Sequence, residues 1–305
     1  MARYLVTGGA GFIGSHLVDA LLTSGHEVLV LDDFSTGKEA NLPAGTDVRR
    51  GDVAEPALVR RAMAGMDGCF HLAAIASVAL GNEDWPGTHR VNVGGTVAVL
   101  DAARAEGRLP VVYASSAAIY GDTGEAVAHE GLRPAPRTAY GADKLGSELH
   151  GAVGALVHGV PSVGLRFFNV YGPRQDPGSP YSGVISIFAR RAADGLGITV
   201  HGDGEQTRDF VFVADVVAHL LAAMRRATAQ KGADVFNVCT GQATSILQLA
   251  TLLGAGPITH GAARAGDIRH SRGDPRRATE ALGVAATMGL AAGLAMLRGA
   301  MMTVR

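Results

Sequence analysis

Cysteine is nearly absent from this chain: two in 305 residues, Cys69 and Cys239, each inside an apolar run. Two such residues offer no disulfide framework, and both read as small core side chains of a protein kept in a reducing compartment. An excess of one charge is missing as well. Lys and Arg number 27 against 28 Asp and Glu, a net charge of −1, which removes the electrostatic argument for nucleic acid or an anionic membrane as partner. Long apolar runs are lacking. The longest uncharged stretch, Ala281 to Leu297, is too short and too rich in Gly and Ala for a membrane span, and a buried helix is expected there. The chain opens directly into a strand, leaving no room for a signal peptide, so a cytoplasmic location is expected. Internal repeats and low-complexity tracts are missing too, and no metal site is expected. The length fits one large domain or two intimately joined ones.

What is present begins at the N-terminus. The apolar run Tyr4-Leu5-Val6 feeds Thr7-Gly8-Gly9-Ala10-Gly11-Phe12-Ile13-Gly14, and a helical pattern follows from Ser15 to Leu22. A strand, a Gly-rich turn and a helix start in that order are the context of a dinucleotide-binding motif. Gly8 permits the tight turn, Gly11 lets backbone approach a pyrophosphate, and Gly14 lets helix lie close on strand. The helix N-terminus offers free N–H groups and its positive dipole end to phosphates. The next strand, Glu27 to Leu31, ends in Asp32, where a carboxylate accepts ribose hydroxyls. A carboxylate there repels a 2′-phosphate, so NAD is expected over NADP.

Strands and helices then alternate through the first half, the rhythm of a parallel sheet. A polar loop with Asp33, Ser35, Thr36 and Gly37 lies where adenosine would pass, and a third strand, 47–51, delivers Asp52 and Val53 to the adenine edge. The fourth, 68–72, ends at Leu72-Ala73-Ala74, small residues beside which a cofactor fits, and its His71 reads as structural. A long helix is expected over Thr88–Arg104, carrying Asn92, and a fifth strand, 110–114, empties into Ser115-Ser116. A second long helix, 138–157, starts at a Thr138 cap and carries Tyr140 and Lys144. After a sixth strand the rhythm breaks and Gly, Pro and Arg become frequent. The expected architecture is a doubly wound parallel α/β sheet (1–168, regained around 209–238) with a smaller C-terminal α/β domain (169–305).

Tyr140 and Lys144 stand four apart on one helix face. An ammonium near a phenol favours the phenolate, lowering its pKa by about 1–3 units. That makes a base for a hydroxyl proton near neutrality, and Ser116 could bond the same substrate oxygen.

With these residues in hand, the sequence resembles the extended short-chain dehydrogenase/reductases, and within them the nucleotide-sugar 4-epimerases. The matching segments run nearly the whole chain: the glycine motif 7–14, Asp32, Asp52, 71–74, Asn92, Ser115-Ser116, Tyr140 with Lys144, 166–169, 202–204, 206–209 and 264–267. The resemblance implies a catalytic set of Ser116, Tyr140 and Lys144, with Lys144 also bonding the nicotinamide ribose, and places Asn92 and Ser115 along the cofactor. It implies a UDP-sugar substrate, with Asn169 on the diphosphate and the backbone of Thr199-Val200-His201 on the uracil. Arg208 and Arg264 would clamp phosphates, Asp267 would take the ribose, and a homodimer would form through paired long helices. Related dehydratases carry an acidic pair just after the catalytic hydroxyl, and related decarboxylases a glutamate. Here Ala117 and Ala118 stand there, which leaves chemistry at C4. Two other readings stay open: an oxidoreductase with net NAD(H) turnover, and a non-catalytic NAD-sensing module.

Overall fold

The computed structural model describes residues 1–176, 178, 183–254, 256–263 and 268–303. Six strands in chain order, β1 (Arg3–Thr7), β2 (Glu27–Asp32), β3 (Asp47–Arg50), β4 (Gly68–His71), β5 (Val111–Ser116) and β6 (Ser162–Phe167), join with Ala233–Val238 in one sheet. Its order is Ala233–Val238, β6, β5, β4, β1, β2, β3, and every pairing is parallel. The chain runs outward from β1 to β3, then crosses back to β4 and proceeds the other way. The carboxyl ends of β1 and β4 therefore flank the crevice at which a doubly wound sheet binds its ligand.

Both faces of the sheet are covered, which is why its strands read as apolar runs. On one face Val6, Val30, Phe70 and Leu165 meet Leu17 and Leu21 of helix Phe12–Thr23 and Leu220 of helix Val213–Ala229. On the other, Leu5, Leu31 and Tyr113 meet Val59 and Met63 of helix Pro56–Met63 and Val99 of helix Gly95–Ala105. Each such side chain taken from water contributes about 1.5–3 kcal/mol. Cys69 and Cys239 are free and fully buried, as their apolar neighbours required.

A second core gathers Tyr171, Ile185, Phe188, Ile198, Phe210, Leu249 and Leu294 away from the sheet. Here strand Asn169–Tyr171 pairs in parallel with Phe210–Phe212, and Ile198–His201 pairs in parallel with Ile258–Gly261. The chain re-enters the large sheet at Ala233–Val238.

Two expectations need correction. The helix foreseen over Thr88–Arg104 starts earlier, at Trp85, and widens into a π turn at Arg90–Gly94 before Gly95–Ala105. Such turns are rare and are frequently found at functional sites; this one carries Asn92. The uncharged run Ala281–Leu297 is not one buried helix. Helix Leu290–Thr303 starts late and rests on a stripe with Leu294 and Leu297, while Met296 is exposed. Without charges, the sequence pattern did not separate a surface helix from a buried one. No described helix is long and apolar enough to cross a membrane.

Candidate active site

The glycine turn is built as its chemistry demands. Gly8 adopts φ +69°, the left-handed region that side chains avoid, and a Cβ there would meet the Ala73 amide nitrogen at 2.6 Å. A Cβ on Gly14 would stand 2.1 Å from the Gly8 carbonyl oxygen. Gly11 caps helix Phe12–Thr23, whose N-terminus opens on the crevice. Asp32 lies at the tip of β2 and is buried. Its carboxylate accepts from the Ala10 amide at 2.9 Å and the Phe34 amide at 2.9 Å. Burial pushes its pKa up, and these two amides pull the other way. Asp33 caps its own loop, accepting from the Ser35 amide and hydroxyl. Asp52 accepts from Arg90 at 2.7 Å, and Val53 is packed beneath Gly95.

Several residues along this path hold the walls with their side chains. Asn92 is buried, accepts from the Ile75 amide at 2.8 Å and donates to the Ile75 carbonyl at 3.2 Å. From within the π turn it pins the segment after Ala73-Ala74. Ser115 is buried, with its hydroxyl donated to Glu148, so any contact it makes with a cofactor is through its backbone. His71 is structural as expected, held between Thr7 at 2.8 Å and Thr96 at 3.2 Å. Burial, aided by the nearby Lys144 charge, pushes its pKa down to about 3.

Helix Ala139–His158 starts at Thr138, whose hydroxyl accepts from the Gly141 amide at 3.0 Å. It ends at Gly159 in the left-handed region, φ +69°. Its first turns bring Tyr140 and Lys144 to the end of β5. The Lys144 ammonium, buried, donates to the Ala114 carbonyl at 2.9 Å and lies 5.7 Å from the Tyr140 ring centre. Burial lowers the Lys144 pKa to about 8, against the opposing pull of Asp143. Tyr140 departs from expectation: burial raises its pKa, and the contact with the Ser116 hydroxyl lowers it by less. The neighbouring ammonium does not outweigh desolvation in the protein alone.

From Ser116 a cleft runs past Ala117, Ala118, Tyr120, Thr123, Phe168 and Asn169 to Arg208 and His270. A second cleft shares Asn169 and Arg208 and continues to Thr199, His201, Phe188 and Arg191. Arg208 donates to the carbonyls of Thr207 and Ile268, each at 2.7 Å, which fixes its guanidinium where the clefts join. In strand Ile198–His201 the Ile198 amide bonds Pro257 and the Gly202 amide bonds Gly261. By the parity of a parallel ladder, Thr199 and His201 turn their peptide groups to the opposite edge. Val200 sends its side chain into the second core. Arg264 and Asp267 lie outside the described residues. The sequence did not reveal Tyr120, Thr123, Phe168 or His270 as lining residues, because loop residues of those types carry no spacing signal.

The fold and site define a nicotinamide-dinucleotide enzyme of the extended short-chain dehydrogenase/reductase class. The model of the NAD dependent epimerase/dehydratase family matches residues 4–239, and the chain belongs to that family. The residues fit NAD: a glycine cradle that a Cβ would fill, a helix N-terminus for phosphates, and the Asp32 carboxylate at the strand end. UDP-glucose 4-epimerase of Mycolicibacterium smegmatis is 38% identical over 306 residues, covering 96% of each chain. The crystal structure of UDP-glucose 4-epimerase from Thermotoga maritima with UDP-glucose has a TM-score of 0.94 at 34% identity, over 99% of each chain. That of UDP-glucose 4-epimerase from Thermus thermophilus with NAD has a TM-score of 0.90 at 36% identity, over 99% of this chain and 100% of the other.

Proposed function

We propose that the protein interconverts UDP-sugars epimeric at C4, through a transient 4-keto sugar. The observation that carries this reading is the end of β5. Ser116, which lines the cleft, meets Tyr140, and the next two lining residues, Ala117 and Ala118, bear no titratable group. Neither alanine can move a proton at C5 or C6, whereas oxidation and reduction at C4 need only the phenol and hydroxyl. The similar proteins, UDP-glucose 4-epimerases whose solved structures hold UDP-glucose or NAD, agree with it.

Bound NAD supplies the acceptor, and later the donor, of the hydride from C4. Tyr140 takes the proton of the 4-hydroxyl as the C4–H bond breaks. Ser116 donates to O4 and offsets the charge that develops there, a preorganised interaction that the reaction need not rearrange. Lys144 sets a positive charge beside the phenol and holds the nicotinamide ribose. Asn169 and Arg208, at the junction of the clefts, hold the diphosphate, with Arg264 as a second clamp and Asp267 on the ribose. The outward edge of Thr199 and His201 pairs with the uracil. Held by its UDP, the 4-keto sugar turns over and is reduced on its other face, and Tyr140 returns the proton.

A second copy of this chain is the proposed partner. Leu149, Val153, Leu156 and Val157 stand exposed on helix Ala139–His158, and Val97 on the neighbouring helix is exposed too. Apolar residues grouped on adjacent helices favour a helix-on-helix interface. Sedimentation should give a dimer, and Leu156→Glu a monomer. In this reading residues 1–168, with the return of the chain around 209–238, hold NAD, and the rest of 169–305 holds the UDP-sugar against Ser116 and Tyr140. The function is tested by turnover of UDP-glucose with purified protein, product read by NMR at H4. Conversion to UDP-galactose with no net change in NAD supports it, and stoichiometric NAD reduction supports an oxidoreductase instead.

A further inference from the structure

Three residues of helix Ala139–His158 at four-residue spacing meet three residues at the end of β5. Tyr140 meets the Ser116 hydroxyl, Lys144 donates to the Ala114 carbonyl, and Glu148 accepts from the Ser115 hydroxyl. A spacing of four keeps these side chains on one helix face, so the contacts form a ladder. Glu148, the rung farthest along the helix from Tyr140, is buried, as is its partner Arg166. Arg166 grips both carboxylate oxygens, Nε to Oε1 at 2.8 Å and Nη2 to Oε2 at 2.7 Å. In the β5–β6 register Ser115 stands opposite Arg166, so the two donors reach Glu148 from neighbouring strands on one sheet face. Arg166 also donates to the Tyr120 hydroxyl at 2.8 Å, and Tyr120 lines the cleft beside Ser116.

Successive side chains on a strand point to opposite faces. Ser115 turned down to Glu148 therefore commits Ser116 to the cleft side. A slip of the helix along β5 would break the Glu148 rung and carry Tyr140 off Ser116 together. We infer that Glu148 is a positioning residue for the proposed reaction: through Ser115 and Arg166 it fixes the register that places the Tyr140 phenol against Ser116. The inference rests on the C4 reading for its kinetic consequence, although the register itself is a property of the protein alone.

The test compares wild type, Glu148→Gln and Ser115→Ala with UDP-glucose as substrate. Gln keeps the volume and one acceptor but loses the charge that holds Arg166. Misplacing a reacting group by an ångström costs roughly 100-fold, so kcat should fall roughly 10- to 100-fold in Glu148→Gln and several-fold in Ser115→Ala. KM for UDP-glucose and bound NAD should stay within about twofold. A second readout needs no turnover. Phenolate absorbance, taken as the difference between each protein and its Tyr140→Phe counterpart, reports the titration of Tyr140. It should move to higher pH in both variants, because the Ser116 contact that lowers it is loosened. If Glu148→Gln does not fold, Ser115→Ala, which leaves the Arg166 grip intact, decides alone. Unchanged kcat and an unchanged Tyr140 titration in a folded variant overturn the inference. A wild type that titrates as expected yet turns over none of UDP-glucose, UDP-N-acetylglucosamine and UDP-glucuronate overturns the C4 reading instead, and leaves the register standing.

Discussion

The Lys144 ammonium lies 5.7 Å from the centre of the Tyr140 ring and is anchored there by the Ala114 carbonyl. That arrangement places a positive charge beside the phenol without a direct bond, while burial raises the Tyr140 pKa. Tyr140→Phe removes the one group assigned to proton transfer. Turnover should fall by about two orders of magnitude or more, with UDP-sugar affinity nearly unchanged, since the loss falls in the transition state. Steady-state kinetics with calorimetric binding checks this; near-wild-type turnover would contradict it.

Lys144 carries a pH signature. Its pKa in the fold, lowered by burial to about 8, lies below the ordinary lysine value of 10.5. Between those values the unfolded chain binds more protons than the folded one, so stability rises with pH across that window. The cost of the buried charge is fully present below the folded value. Wild type should therefore gain stability relative to Lys144→Met from about pH 8 to about pH 10, as urea unfolding would read; a falling difference would contradict the assignment.

Gly14→Ala should abolish NAD retention, because the new Cβ would stand 2.1 Å from the Gly8 carbonyl oxygen. Overpacking of this kind costs about 1–3 kcal/mol or more, and here it pushes the helix off the turn that forms the cradle. The ratio of 260 to 280 nm absorbance of purified protein measures it; a ratio equal to that of wild type would contradict the assignment.

Asp32→Ala should relax the cofactor choice toward NADP. The carboxylate that accepts from Ala10 and Phe34 sits where a 2′-phosphate would fall, and its charge opposes one. Titration of both cofactors into stripped wild type and variant decides; equal affinity of wild type for the two would contradict the reading of β2.

Much of this was legible in the chain itself, for identifiable reasons. The glycine turn is dictated by φ and by contacts shorter than any Cβ allows, so Gly8 and Gly14 announce it. Tyr140 and Lys144 share a helix face by spacing alone. Other features depend on partners distant in sequence. That Ser115 faces Glu148 and Asn92 faces Ile75 follows from strand register and a π turn, neither of which has a local signature. The Glu148–Arg166 pair joins a helix to a strand 18 residues on, and a lone Glu or Arg reads as a surface charge until the sheet closes around it. The Tyr140 pKa, foreseen as lowered by its lysine neighbour, is instead raised by desolvation, a quantity set by the packed fold.

In the proposed reaction hydride leaves C4 and returns to C4. UDP-glucose deuterated at C4 should give UDP-galactose that keeps its deuterium, and unlabelled substrate turned over in heavy water should give product with none at C4 or C5. Mass spectrometry and NMR of the product read both; loss of the C4 label, or deuterium entering C5 during turnover, would contradict the account.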